Sequence, residues 1–329
     1  MTSLTLTCIG RQQNTHDVVS WQLAPLSGSL PPVLAGQCIT LHTEIDGQPE
    51  CRAYTLSSSP QDACWQVTIK DVGRVSRHLH QTLQVGDEIR ADGPFGDFNL
   101  TALPCERPLL LSAGSGITPM WSMLRDELAK RPDADIRFIH SARSSKDVIF
   151  ADELATLTAA HAGVRHALIL EDAPADHPWI GRLTPAMLAE LAPDLRDRHV
   201  YLCGPAPYMA AVRTMLTELG LPPEQLHQES FGLPPAEPIK TTSDHFWLTL
   251  KKSGKKVKIL PGQTLLAALE AAGETIMAAC RAGVCGSCRC TTTGDIERQS
   301  VMTLSAQDLE SGVALACSCT AKGDISLDY

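Results

Sequence analysis

The sequence predicts three folded parts in a row: an antiparallel β-barrel over residues 1–102, an α/β domain on a parallel sheet over 103–232, and a small α+β domain of the β-grasp kind over 244–329, the last joined by a linker at 233–243. Three observations predict this. Short alternating segments punctuated by Gly and Pro fill the first part, as in antiparallel barrels. Strand and helix patterns alternate through the second, as in parallel sheets covered by helices. A hairpin, one helix and a cysteine-rich loop follow in the third. A chain of 329 residues is also too long for one ordinary core.

The barrel strands are expected at TLTCIG, VVSWQLAP, QCITLHTEI, RAYTLSSSP, WQVTIK and DEIRADGP. In the second part PLLLSAG, IRFIHSA, RHALIL and HVYLCGP read as strands, and PMWSMLRDELAK, FADELATLTAA and YMAAVRTMLTELG as helices. LPPAEPIKTTS is rich in Pro and small polar residues, as a linker should be. HFWLTLKK and KKVKIL flank Ser253-Gly254 as a hairpin, and QTLLAALEAAG has helical periodicity with Gly273 just past its end.

Composition narrows the function classes. With 43% hydrophobic residues and a mean hydropathy of −0.04, the chain reads as a soluble globular protein. MTSLTLTCIG lacks the charged and apolar regions of a signal peptide, and no apolar run reaches the length of a membrane span, so a cytoplasmic protein is expected. The net charge of −9, without a basic stripe interleaved with aromatics, argues against a nucleic-acid partner. From Asp244 onward nine basic residues balance nine acidic ones, so the acidity lies upstream.

Four cysteines carry the most specific signal. Cys280, Cys285 and Cys288 in CRAGVCGSC, followed by Cys317 in LACSC, give C-x4-C-x2-C and one distant cysteine. That is the plant-type [2Fe–2S] ligand spacing, in which four soft thiolates hold two irons. Gly283 and Gly286 let the loop curl and aim amide N–H groups at the sulfurs. A structural zinc site is the alternative, but such sites usually show two C-x2-C knuckles, and here only Cys285 and Cys288 form one. Cys290 and Cys319 sit two positions beyond proposed ligands and share their strand face; the spacing makes them bystanders. The eight cysteines outside the set are expected to be reduced thiols.

Other strings are weaker singly. Gly114 and Gly116 in AGSGITPM sit at a strand-to-helix turn, where a pyrophosphate can approach backbone and helix N-terminus, although a tight turn explains them equally. Cys203-Gly204-Pro205 forms a second such turn. RAYTLSSSP sets Arg52, Tyr54, Thr55 and Ser57 at a strand end, where a ring, a guanidinium and hydroxyls could hold a heterocycle and a phosphate. The string alone slightly favours an ordinary barrel strand with Tyr54 packed. GRVSRHLH offers Gly73 and Ser76 before a short helix, either as a phosphate seat or as a helix start capped by Ser76.

Together these strings resemble the ferredoxin–NADP reductase superfamily over residues 1–232, fused to a plant-type ferredoxin domain. The resemblance implies a barrel that binds FAD, an α/β domain that binds the nucleotide, and a [2Fe–2S] ferredoxin domain. RAYTLSS is similar to the flavin motif, which implies Arg52 on the pyrophosphate, Tyr54 stacked on the isoalloxazine, Thr55 at its N5 edge and Ser57 within the site. In GRVSRHL, Gly73, Val75 and Ser76 would receive the pyrophosphate of FAD rather than FMN. AGSGITP resembles the nicotinamide motif, with Gly114, Gly116, Thr118 and Pro119 beside the pyridine nucleotide. CGPAPYM would place Cys203 near the nicotinamide, with Gly204 and Pro205 shaping the turn, and Phe231 in QESFG resembles an aromatic laid over the flavin. Without the resemblance Cys203 is a buried strand residue, and packing explains Phe231 nearly as well.

Nicotinamide yields two electrons together and a [2Fe–2S] cluster accepts one, so a flavin that splits the pair belongs between them. The expected function is an NADH-dependent reductase passing single electrons to a partner protein. FADEL, GRLT, CGPAPYM, CRAGVCG, MTL and LACSC look most like the branch that serves the hybrid cluster protein. The alternatives are the reductase of a Rieske-type oxygenase or demethylase and, from another class, a non-catalytic iron–sulfur redox sensor, which the complete nucleotide and flavin motifs disfavour. Arg143 and Lys146 could pair a 2′-phosphate, so NADPH is the alternative nucleotide; relatives with this domain order favour NADH.

Overall fold

The computed structural model describes residues 3–231, 245–279, 281, 283, 285–300 and 304–329. The expected linker at 233–243 and Cys280 lie outside the described residues, as does the MTL string at 302–304 except for Leu304. The chain forms two compact units, one from residues 1–39 and 54–230, the other from 40–53 and 231–329.

The first sheet contains β1 (Ser3–Thr15), β2 (Val18–Pro25), β3 (Cys38–Ile45), β4 (Gln48–Thr55), β5 (Trp65–Lys70) and β6 (Glu88–Phe95), with α1 (Arg74–Thr82) between the last two. Its order is β4-β3-β6-β1-β2-β5. Just past β4, Leu56 bridges Val67 and the Ser57 amide donates to the Gln66 carbonyl at 2.7 Å, which joins the two ends of the sheet into a barrel. Leu6, Trp21, Leu23 and Val67 are buried, and the Trp21 indole donates to the Leu83 carbonyl at 3.1 Å. β1 outruns its expected segment by carrying the polar run RQQNT, which shows no apolar alternation. Pairing with β2 through two register shifts holds it extended.

The nucleotide half comprises β7 (Pro108–Ala113), α2 (Ile117–Lys130), β8 (Ile136–Ser144), α3 (Ala151–Ala160), β9 (Val164–Asp172), α4 (Pro185–Leu191), β10 (His199–Cys203), α5 (Ala206–Glu218) and β11 (Leu226–Glu229). Its five strands are parallel in the order β11-β10-β7-β8-β9, so the winding direction reverses between β7 and β10. Such a switch point opens a ligand crevice at the carboxyl edge. Strand alternation sends Leu110, Phe138 and Tyr201 toward α2 and α3, and Leu109, Leu111, Ile139, Val200 and Leu202 toward α4 and α5. Val18, Ala35 and Phe98 of the barrel share the former cluster with Met120 and Trp121, so barrel and nucleotide sheet have one continuous core.

At the amino edge of this sheet, charges do the fastening. Arg198 is fully buried, with Nη2 2.8 Å from both Asp135 Oδ1 and Asp194 Oδ2. Arg107 reaches Asp135 at 2.9 Å, and Arg137 Nε lies 2.9 Å from Asp194 Oδ1. Three guanidiniums and two carboxylates therefore tie together the starts of β7, β8 and β10.

The second unit holds β12 (Phe246–Leu250), β13 (Lys256–Ile259), α6 (Leu265–Ala271), β14 (Arg289–Thr293), β15 (Ile296–Arg298), α7 (Ala306–Glu310), β16 (Val313–Leu315), β17 (Cys319–Ala321) and β18 (Ile325–Asp328). The sheet order β13-β12-β18-β14-β16, with β12 and β18 parallel, wraps α6 as a β-grasp. Thr264 caps α6 by accepting from the Ala267 amide at 3.2 Å, and Gly273 ends it at φ +74°. Leu265, Leu266, Ala268 and Leu269 are buried against Leu248, Leu250 and Leu315. Among the described residues no helix is long and apolar enough to cross a membrane.

Asp194→Asn should lower stability by about 3 kcal/mol at neutral pH, because it leaves a buried guanidinium short of one partner. Hydrogen bonds from Arg198 and Arg137 hold the Asp194 carboxyl below its ordinary range. Its contribution is therefore complete above pH ~4 and is lost as pH falls through the depressed value. Urea unfolding curves of parent and variant should converge on acidification; a constant gap down to pH 3 would contradict this account.

Candidate active site and cluster cradle

Two strand-to-helix turns meet at the switch point. A Cβ on Gly116 would lie 2.3 Å from the Cys203 carbonyl oxygen and 2.7 Å from the Gly204 nitrogen. A Cβ on Gly204 would lie 2.8 Å from the Tyr208 ring and 3.2 Å from the Ala113 nitrogen. Only glycine lets these backbones touch. Gly114, at φ +53°, turns β7 toward α2 with open space beside it. Thr118 is buried and donates to the Ser115 carbonyl at 3.0 Å, while Pro119 occupies the third position of α2, where no intrahelical N–H is needed. Pro205 caps α5. Gly114, Gly116, Thr118, Pro119, Cys203, Gly204 and Pro205 are thus gathered on two touching turns.

A polar row that the sequence reasoning did not single out runs beneath them. Cys203 pairs in register with Ser112, and Ser112 with His140, all three fully buried. His140 Nδ1 and Ser112 Oγ are hydrogen-bonded at 2.8 Å. Burial lowers the His140 pKa to about 3, and burial, with Glu229 nearby, pushes the Cys203 thiol well up. Both groups are neutral near pH 7. For Ser112 and His140 the only sequence signal was a polar residue near the carboxyl end of an apolar strand.

In the barrel, Arg52 and Tyr54 share one face of β4 and are partly exposed, whereas Thr55 is buried. Arg52 donates to the Cys51 carbonyl at 2.7 Å and lies 3.7 Å from Glu50. Ser57 is fully buried, its hydroxyl sharing a 2.8 Å hydrogen bond with Thr68, which shares another at 2.7 Å with Ser20. At the start of α1, Gly73 is the N-cap. Ser76, suggested by the sequence as the cap, instead sits in the first turn and accepts from the Gly73 and Val72 amides at 2.9 and 3.1 Å. Glycine has no side chain to cap with, so the serine reaches back. Val75 is buried, leaving its backbone for any ligand at this helix start. Phe231 is 44% exposed.

Cys285, Cys288 and Cys317 are each 2% exposed. The Gly283 amide donates to Cys317 Sγ at 3.2 Å and the Cys317 amide to Cys288 Sγ at 3.4 Å. Ser287 Oγ lies 3.1 Å from Cys285 Sγ and accepts from the Ala279 amide at 2.8 Å. Gly283 adopts φ +76°, and a Cβ there would come within 2.6 Å of Ser300 Cβ and 2.8 Å of Ser318 Cβ. Gly286 is also left-handed, at φ +73°. Amide donors on the sulfurs and a loop with no room for a β-carbon suit a thiolate-held [2Fe–2S] cluster. Cys290 and Cys319 are buried in strands. Burial pushes Cys290 up to about 12 and also raises Cys319, which suits inert thiols.

A flavin-type barrel, a nucleotide sheet with its glycine turns and a cysteine cradle on one chain define an NAD(P)H-dependent flavin oxidoreductase with an iron–sulfur domain. Three family profiles match: an oxidoreductase FAD-binding domain over residues 12–100, an oxidoreductase NAD-binding domain over 110–214, and a 2Fe-2S iron–sulfur cluster binding domain over 248–322. The chain is 36% identical to the glycine betaine monooxygenase reductase subunit of Pseudomonas aeruginosa, over 98% of this chain and 94% of that one. It is 34% identical to the NADH oxidoreductase HCR of Escherichia coli, over 91% and 89%. Its fold matches phthalate dioxygenase reductase, described as a modular structure for electron transfer from pyridine nucleotides to [2Fe-2S], with TM-score 0.63 and 25% identity over 99% and 98% of the two chains. The chain belongs to the ferredoxin–NADP reductase family of flavoreductases that carry a 2Fe-2S ferredoxin domain.

Gly283→Ala combines a left-handed backbone with a collision, so the purified variant should hold less than about half the iron and sulfide of the parent while the flavin remains bound. Iron analysis and the visible cluster absorption read this directly. Full cluster content would show that the loop opens without difficulty.

Proposed function

We propose that this chain is the reductase component of an oxygenase or demethylase system, taking a hydride from NADH and delivering single electrons to a partner protein through the cluster. The observation that carries the proposal is the cysteine cradle on the same chain as the nucleotide and flavin domains. When bound, the flavin supplies the step from paired to single electrons, which nicotinamide and cluster cannot make directly.

The chain's own residues have positioning roles. Arg52 would pair with the flavin pyrophosphate, Tyr54 would stack on the ring, and Thr55 would stand at its reactive edge. Gly73, Val75 and Ser76 would present the first turn of α1 to the pyrophosphate, Val75 and Gly73 through backbone N–H groups. Ser57 would act indirectly, by anchoring the strand. Gly114, Gly116, Thr118 and Pro119 would seat the nucleotide against α2, with Cys203, Gly204 and Pro205 as the opposite wall and Phe231 covering the flavin. Cys280, Cys285, Cys288 and Cys317 would hold the cluster. The domain limits we assign are 1–102, 103–232 and 244–329, with 233–243 as linker.

An oxygenase partner is supported by relatives named as oxygenase reductases, including one matching nearly the whole chain. Delivery to a hybrid cluster protein is the second reading, supported by the 34% identity to NADH oxidoreductase HCR. Purified oxygenase components and hybrid cluster protein, offered separately to the NADH-reduced enzyme, would discriminate them. Fast reoxidation by only one of the two names the class of acceptor. A sensor without turnover is disfavoured by the oxidoreductase family assignment.

Cys285→Ser should leave reduction of the flavin by NADH at the parental rate and abolish one-electron delivery to the partner. Loss of flavin reduction in that variant would count against the relay. Steady-state kinetics should also give a higher kcat/KM for NADH than for NADPH. A reversed preference that disappears in Arg143→Ala would instead assign the end of β8 to a 2′-phosphate.

A further inference from the structure

Residues 57–62 leave the strand that carries Tyr54 and run onto one face of α2, the helix whose first turn carries Thr118 and Pro119. Ser122 Oγ, fully buried, donates to the Ser58 carbonyl at 2.6 Å. One turn on, Arg125 grips both oxygens of Asp62 at 2.7 and 2.8 Å, and the neighbouring Asp126 accepts from Gln61 Nε2 at 2.8 Å. Asp62 also accepts from the Ser59 amide at 2.9 Å, so the fork is itself held by its loop. Ser122, Arg125 and Asp126 stand at i, i+3 and i+4, the spacing that puts side chains on one helix face.

Cohesion does not require these contacts. Val18, Ala35 and Phe98 already share an apolar core with Met120 and Trp121, and apolar burial is non-directional, so it holds the two halves together without fixing an angle between them. A half-exposed ion pair adds little to stability, but a bidentate fork fixes direction as well as distance. Asp62 lies eight residues after Tyr54, and Arg125 seven residues, or about two helical turns, after Thr118. The fork therefore joins the flavin strand to the nucleotide turn by two short, stiff segments.

We propose that the Asp62–Arg125 fork, backed by Gln61–Asp126 and Ser122–Ser58, is a positioning latch that fixes the approach of nicotinamide to flavin and so sets the rate of hydride transfer. The proposal rests on assigning Tyr54 and Thr55 to the flavin and Gly114 to Pro119 to the nucleotide. In the step it governs, the C4–H bond of the dihydronicotinamide breaks and its hydride, carrying both electrons, forms a bond to the oxidised flavin, leaving the oxidised nicotinamide. None of the latch residues exchanges a proton or an electron.

Asp62→Asn and Arg125→Gln holoenzymes, mixed with NADH in a stopped-flow instrument, should show a limiting rate of flavin reduction at least about tenfold below the parent, with the NADH dissociation constant unchanged to within about twofold. The exchanged pair, Asp62→Arg with Arg125→Asp, should recover part of the rate. Independently of activity, amide hydrogen exchange at residues 57–62 of the flavin-free protein should quicken in both single variants, while exchange at β7 and β8 stays parental. A rate within about twofold of the parent, or unchanged exchange at 57–62, overturns the latch. Should either variant lose FAD or unfold, Gln61→Ala carries the same expectation at about threefold, and a parental rate there overturns it equally. Failure of NADH to reduce the parent's flavin would instead sink the site assignment, leaving the exchange measurement to judge the latch alone.

Discussion

The nucleotide half depends on one close approach, the contact between Gly116 and the Cys203 carbonyl at 2.3 Å from where a β-carbon would stand. Because β7 and β10 are adjacent and parallel, both strands deliver their turns to the same edge. Their chains must then diverge onto opposite faces, β7 into α2 and β10 into α5. Any side chain at Gly116 would wedge those turns apart and widen the switch point. A narrow crevice walled by backbone follows directly from two glycines on neighbouring strands.

What lies beneath the turns is consistent with that wall. Cys203, Ser112 and His140 form a buried row whose members are polar but uncharged near pH 7, since burial keeps the thiol protonated and the imidazole neutral. No buried charge in this row competes with a ligand's phosphates. An anion at this edge would be attracted by the positive end of the α2 helix dipole alone. The opposite edge of the sheet does the reverse, concentrating three guanidiniums and two carboxylates where no turn needs to approach a ligand. The charged fastening and the glycine turns thereby occupy opposite ends of the same strands.

Local pattern carried much of this in the sequence. All six barrel strands, the alternation of the nucleotide half and the hairpin-helix order of the last part were legible because their apolar periods are strong. The polar extension of β1 and the four-residue β11 were not, since pairing rather than periodicity makes them strands. α4 was missed as a seven-residue helix whose signals are only Thr184 as cap and Pro185 at its first position. At the site, glycine turns and cysteine spacing were visible because backbone geometry and ligand chemistry restrict residue type. Ser112 and His140, and the Asp62–Arg125 fork, were invisible because their meaning lies in partners 28 and 63 residues away. The misplacement of the α1 cap has the same origin: the sequence shows a serine near a helix start but not which backbone groups it meets.

The charge distribution completes the argument about the cluster domain. Five of its nine basic residues, Lys251, Lys252, Lys255, Lys256 and Lys258, lie on the β12–β13 hairpin. Several are spent locally. Lys256 and Lys258 sit 5.1 and 5.9 Å from the Trp247 ring, Lys252 lies 5.3 Å from the Tyr329 ring, and Lys255 pairs with Glu274 at 2.8 Å. On the edge strand β13 such lysines also discourage pairing with another sheet. A domain with balanced charge has little long-range field with which to steer diffusional encounters.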